Sequence, residues 1–299
     1  MKVKEVGKVL EALAPLSHAE DFDNVGLLVG NPDWEVSGIL VTLDTLENVV
    51  DEAIRKQYNL IVSFHPIIFK GLKQLTGSSY VERVVMKAIA NNIAIYSIHT
   101  ALDNSNLGVN AKICEVLGIQ NPKILIPKKG TLKKLTPYVP KKAAAKLKAS
   151  LLEAGAGAIW KYSNCSFSAE GLGSFKAMVV ANPALGQIGE THFEKETQLN
   201  MVFPFEKEKA IIDTLMKNHP YEEVAYEIVS LENVNSHIGM GMIGNLGKSM
   251  DVKEFLLHVK QKMKIPVIRH SVLPSKKVQR IAVLGGSGGF AIAAAKKAK

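Results

Sequence analysis

Between Gly38 and Leu117, short apolar runs alternate with segments of helical spacing. "GILVTLD" is one such run, closing on a polar residue; "NLIVSFHP" is a second and "IAIYSIH" a third. Among them lie "TLENVVDEAIRKQY", with Leu46, Val49, Val50, Ala53 and Ile54 on one helical face, then "SSYVERVVMKAIANN" and "GVNAKICEVLG". A strand buried on both faces reads as a continuous apolar run, because neither face meets water. Such strands alternating with amphipathic helices predict crossover connections and a mainly parallel sheet. The fold class expected is therefore α/β.

The polar residues closing these runs are Asp44, His65 and His99. They stand at the carboxyl ends of the expected strands, where open α/β sheets bind their ligands. Taken singly, Asp44 reads as a helix N-cap and His65 as a hydrogen-bonded, half-buried histidine. Taken together, titratable residues at equivalent edges of neighbouring strands point to a site. His99 and Asp103 are four apart, a spacing that shares a face on a helix and on a strand. Histidine and aspartate donors suit Zn, Mn or Fe, and carboxylate-rich sets suit Mg. The absence of Cys pairs argues against a structural zinc site.

The chain of 299 residues is long enough for two domains, and its 47% apolar and 22% charged residues fit a folded globular protein. No apolar run approaches the ~20 residues that span a bilayer. The opening "MKVKEVGKVLEALAPL" reads as an amphipathic helix, not a signal peptide, because it has no apolar centre. Two cysteines, Cys114 and Cys165, argue for reduced thiols and a cytoplasmic location. The net charge of +9 permits anionic partners, yet the lysines are scattered without interleaved aromatics, which argues against nucleic acid.

From Ile126 the character changes: "ILIPKKGTLKKLTPYVP" carries three prolines and a lysine cluster. The order that follows is strand ("KKLTPYVP"), helix ("KKAAAKLKASLLEAGAG"), a hairpin-like stretch around two glycines ("AIWKYSNCSFSAEGLGSFKAM"), strand ("TQLNMVFPF"), helix and strand. This is the βαββαβ, ferredoxin-like plan. The expected division is 1–126, an inserted domain 127–232, and a return to the first domain over 233–299. "SHIGMGMIGNLGKSMDVKEFLLHVKQKMKIPVIRHS" reads as strand, Gly-rich turn, helix and strand. In the last segment Gly286, Gly288 and Ala291 fit a dinucleotide-binding pattern between a strand and a helix, though no acidic residue about 20 positions on follows to hold a ribose.

Several stretches resemble one family, the GTP cyclohydrolase 1 type 2 homologs or NIF-three-like dinuclear metal-centre proteins. They are "AEDFDNVGLLVG", "IVSFHPIIFKGLK", "HTALDNSNLGVN" and "IAVLGGSGG". The middle segment, with "HPYEEVAYEI", resembles the PII-like insert of the longer members. The resemblance implies a split three-layer α/β outer domain, a ring-shaped homo-hexamer, and divalent metal pairs facing an interior cavity. It implies metal ligands at His65 and Asp103. The family's "HHP" reads Phe64-His65-Pro66 here, and phenylalanine cannot ligate. The family's pattern also continues past Lys299 with a His-x-x-x-Glu pair. Weak or single-metal binding is therefore expected, unless Asp44, His99 or a neighbouring subunit adds a donor.

Asp23 and Asn24 either line the cavity or form a turn bonded to its own backbone. Asp44, Thr100 and Asn104 are further cavity-lining candidates. His219, Glu222 and Glu223 in "HPYEE" read as a polar turn before a ligand cluster. Cys165 is expected buried, and Trp160 and Tyr162 packed. The activity implied is metal-assisted hydrolysis or ring-opening of a small nucleotide-like molecule, GTP by the family's name, with His99 shuttling a proton. The motifs contain no guanine-reading residues. The rivals are a non-catalytic regulatory or metal-handling ring, and a dinucleotide-binding protein.

Overall fold

The structure, a computed structural model, describes residues 1–159 and 161–298. It divides into two compact units, Met1–Pro127 with Ser236–Lys299, and Lys128–Asn235.

The first unit begins with α1 (Val3–Leu13), β1 (Gly26–Val29) and β2 (Ile39–Thr42), then α2 (Glu47–Lys56), β3 (Leu60–Ser63), α3 (Tyr80–Ala90) and β4 (Ala94–Ser97). These strands form one sheet in the order β1-β4-β3-β2. The three strands read from the apolar runs are parallel and in register, Ile39 beside Leu60 beside Ala94 and Thr42 beside Ser63 beside Ser97. β1 joins antiparallel on β4, a strand not read from the sequence. Alternation sends Ile61 and Ile95 into a core with Val50, Ala53, Val84 and Ala88 of α2 and α3. It sends Leu60, Val62, Ala94 and Tyr96 into another with Val3 and Val6 of α1. The α2 face is narrower than its spacing suggests, since Leu46 and Ile54 are exposed. Ser79 caps α3, accepting from the Glu82 N–H at 3.2 Å.

After β4 come α4 (His99–Asp103), α5 (Val109–Leu117) and β5 (Gln120–Pro127). The second unit holds β6 (Leu132–Pro140), α6 (Lys141–Glu153), β7 (Phe167–Lys176), β8 (Thr191–Pro204), α7 (Glu208–Asn218) and β9 (Tyr226–Ser230). Its strands pair antiparallel in the order β7-β8-β6-β9. Leu135, Leu199, Met201 and Phe203 pack on Leu147, Leu151, Ile211 and Leu215 of the two helices. The two glycines read as a hairpin, Gly171 and Gly173, sit inside the single strand β7. Tyr162 is 74% exposed rather than packed, and Cys165 is partly exposed rather than buried. Trp160 lies outside the described residues.

The first unit then resumes with β10 (Gly239–Asp251), α8 (Val252–Lys262), β11 (Lys277–Val283) and α9 (Ile292–Lys297). β10 runs between β5 and β11, antiparallel to both. This unit thus carries an antiparallel sheet beside its parallel one, against the single mainly parallel sheet expected. The Gly-rich stretch is strand, not turn, and "PVIRHS" is irregular. Gly239 and Gly244 bear no Cβ where one would come within 2.1 and 2.6 Å of the β5 carbonyls of Ile126 and Gln120. Among the described residues no helix is long and apolar enough to cross a membrane.

Candidate functional site

The three parallel strands end together, so the residues two beyond their last rungs emerge side by side. The ladder runs on past the strands: His65 N–H donates to Leu43 at 2.9 Å and His99 N–H to Phe64 at 3.0 Å. His65 and His99 end with ring centroids 5.3 Å apart, nearly perpendicular.

Each imidazole has its own carboxylate. His65 Nδ1 lies 2.7 Å from Asp44 Oδ1, and His99 Nδ1 lies 2.8 Å from Asp23 Oδ1. Asp44 is therefore not a cap; α2 starts at Glu47 with Leu46 at its N-cap. An ionised carboxylate can only accept, so Nδ1 is the donor in each pair, and in the neutral imidazole that leaves the Nε2 lone pair free. This is how carboxylates orient metal-ligating histidines.

Asp23 is held from four directions. Its Oδ1 accepts from Asn24 N–H at 2.8 Å, and its Oδ2 from Thr100 N–H at 3.1 Å and from the Thr100 hydroxyl. Burial alone would raise its pKa, but the bonds from Thr100, His99 and Asn24 outweigh it and hold the carboxyl below its ordinary value. Asn24 donates to Ile68 O at 2.6 Å, a structural tie. Thr100 is buried against Asp23. Asn104 is fully buried and donates to His18 O and Glu20 Oε1.

Asp103 closes α4 in the opposite electrostatic state. Its Oδ1 is buried without a hydrogen-bond partner. Burial pushes its pKa from 3.8 to about 6, against the pull of His99 and His65. Such a carboxylate is unsatisfied in the bare protein and suited to a cation. The residues thus fit a divalent ion in donor type and tautomer. Their number is small, since among the described residues no group of three or more His, Cys, Asp or Glu side chains is placed to hold a metal.

Phe64 stands edge-on to His99 at 5.4 Å and beside His65 at 5.1 Å. Phe69 flanks His99 at 6.5 Å and meets Phe22 at 6.3 Å. Nothing in the sequence singled out Phe69 or Phe22. Two other residues were missed. Asn110, 1% exposed, donates to the Asp103 carbonyl at 3.1 Å and accepts from Gly285 N–H at 2.8 Å. A Cβ on Gly285 would lie 3.8 Å from Asp103 Oδ1 and only 3.0 Å from Val109 Cγ1. The glycine turn read as a dinucleotide fingerprint therefore rests beside the acidic residue. Its strand, β11, is antiparallel to its neighbour, not part of the βαβ unit that fingerprint requires.

His219 is structural. Its Nε2 lies 3.0 Å from Tyr138 O, and its Nδ1 accepts from Tyr221 N–H at 3.1 Å.

Fold and site together define an α/β protein with carboxylate–imidazole pairs at the ends of its parallel strands. The chain belongs to the Duf34/NIF3 (NGG1p interacting factor 3) family, whose model matches residues 1–299. It is 40% identical over 98% of its length to the Bacillus subtilis GTP cyclohydrolase 1 type 2 homolog, of which 79% is covered. It is 35% identical over 96% of its length to the homolog of that name from Staphylococcus aureus, covering 78% of it. The crystal structure of a Bacillus cereus protein related to NIF3 superposes over the whole chain and 80% of its own, with 35% identity and a TM-score of 0.81.

Proposed function

We propose that this chain binds a divalent metal, Zn, Mn, Fe or Mg, through His65 and Asp103, and hydrolyses a small nucleotide-like substrate. The observation that carries the reading is the buried, unpartnered Asp103 carboxylate beside two histidines whose Nδ1 atoms are engaged by aspartates. A bound ion there would acidify a water to about pH 7 and supply a hydroxide nucleophile. His99, oriented by Asp23, is placed to shuttle a proton. Phe64 and Phe69 set aromatic rings against His99. The relatives' name suggests GTP as the first substrate to try.

The same reading extends to architecture. The helices on both faces of the β1–β4 sheet support a three-layer outer domain. The βαββαβ order with strand order β7-β8-β6-β9 supports a ferredoxin-like, PII-like insert. A cytoplasmic homo-hexamer is proposed; exposed Ile39, Val41, Leu43 and Leu46 at the β2 edge are the apolar surface such an assembly would cover.

The first test is elemental analysis of protein purified without chelator or affinity metal, with Asp103→Ala alongside. Metal retained by the wild type and lost by the variant is expected; no metal in either, even after Zn, Mn or Fe is added back, overturns the site. GTP turnover abolished by His65→Ala then supports the enzyme. Phe64 and the small donor set favour one other reading, a non-catalytic regulatory or metal-handling ring. That reading requires metal bound at Asp103 without turnover.

A further inference from the structure

The HPYEE turn belongs to no part of the strand-end site, yet in the second unit its Tyr221, Glu222 and Glu223 line a cavity with the end of β7. Its volume is about 470 Å³, within the range of small-molecule sites. The end of β7 (Ser174–Lys176), the following loop through Ala184, Glu196 of β8 and the turn after α7 line it.

Its construction is specific. Gly173 leaves room for Glu196, whose Oε2 would lie 2.2 Å from a Cβ at that position. A glycine within a strand is where something approaches the backbone closely, and here it is a carboxylate. Tyr221 donates its hydroxyl to Glu196 Oε1 at 2.9 Å and meets Phe175 at 5.7 Å and 62°, forming an aromatic corner. His219 fixes the turn from behind by its two backbone contacts. Glu222 accepts from Asn182 N–H at 3.1 Å and ties the loop over the cavity. Across the mouth stand Met178 and Val180, 69% and 96% exposed. A second hollow of about 280 Å³, lined in part by Gly171 and Gly173, shares Glu196 with the first.

The lining carries Glu196, Glu222 and Glu223 against a single Lys176, in a chain whose net charge is +9. Carboxylates beside aromatic faces and aliphatic groups attract a cation with an apolar body, through charge and through the ring quadrupoles. We propose that this cavity is a binding site for a small organic amine, its ammonium group held by Glu196 and Glu223 and its body against Tyr221, Phe175 and the Met178–Ala184 loop. The site is independent of the strand-end chemistry.

Ligand-observed NMR titration of the full chain tests it with three probes sharing one apolar body: phenethylammonium, 2-phenylethanol and 3-phenylpropionate. Saturable binding of the ammonium is expected, with the alcohol about tenfold weaker, the equivalent of one carboxylate contact, and the carboxylate not bound. Glu196→Gln should weaken the ammonium about tenfold. Glu223→Gln, at an exposed residue, should weaken it several-fold and keeps the test valid if the first variant misfolds. Asp103→Asn should leave binding unchanged. Equal affinity for the alcohol, indifference to Glu223→Gln, loss of binding in Asp103→Asn, or no saturable ammonium binding would each overturn the proposal.

Discussion

Replacing Asp103 by Asn should stabilise the metal-free protein and remove its response to metal. The wild-type carboxyl titrates near 6 in the fold and near 3.8 outside it, because burial penalises its charge. A group whose folded pKa is raised costs stability above its unfolded value. The cost is absent below pH 3.8, grows as pH rises to about 6, and is complete beyond. A shift of about two units corresponds to about 3 kcal/mol, cut to about 2 by the residue's partial exposure. Asn keeps the shape and removes the charge. At pH 8 in chelator, Asp103→Asn should therefore melt about 4–8 °C above wild type, using 2–4 °C per kcal/mol for a protein of this size.

With metal the order should reverse. An ion that binds only the folded state adds about 2.7 kcal/mol at a hundredfold excess over its Kd, and Asn is a poor substitute for a carboxylate ligand. Differential scanning fluorimetry at pH 4 and pH 8, with chelator or with Zn or Mn, reads all four conditions. At pH 4 the two proteins should melt together. Two results would refute the reasoning. A lower melt for Asp103→Asn in chelator at pH 8 would mean that the charge is satisfied in the fold. An equal rise for both proteins with metal would place the ion elsewhere.

Asp23→Asn should lower the unfolding free energy by about 2–4 kcal/mol, since an amide turns a donor toward bonds that a buried carboxylate accepts; denaturant unfolding at pH 7 measures it, and the gap should narrow as pH falls below the ordinary carboxyl value, because Asp23 is held low. Glu82 accepts from Thr76, Ser78 and Ser79, and its pKa falls from 4.5 to about 2. Its stabilisation is complete above pH 4.5 and lost as pH falls toward 2, so Glu82→Gln should melt lower at pH 7 and match wild type at pH 2. Phe64→His puts a third imidazole beside His65 and His99, and should raise the metal bound per chain in elemental analysis; an unchanged ratio would show that Phe64 is not what limits it.

The strands were legible because their physics is local. Leu60–Ser63 and Ala94–Ser97 are buried at every position, and continuous apolarity follows directly. Their closing residues, Asp44, His65 and His99, were legible for the same reason. The partner of His99 was not, because Asp23 lies 76 positions away in a polar turn with no periodicity. Nor was the contact of Gly285 with Asn110, across 175 positions; glycine patterns announce close approach without saying to what. The second sheet was misread where β10 carries glycines at Gly239, Gly241 and Gly244. Local propensity scores these as turn, whereas the crossing of β5 requires the missing side chains.

The site itself is a consequence of register. Ile61 and Ile95 point to one core, Leu60, Val62, Ala94 and Tyr96 to the other. A slip of one residue in either strand would exchange these sets and send each side chain to the opposite face. Core packing on both faces therefore fixes Thr42, Ser63 and Ser97 on one rung, and the same constraint sets Asp44, His65 and His99 two residues on. What the core does not fix is where each imidazole turns. That is set by carboxylates, Asp44 from the adjacent strand end and Asp23 from the turn before β1. A core substitution that shifts β3 against β4 should thus separate the histidines without touching either, whereas Asp23→Asn should leave them adjacent and misdirect His99.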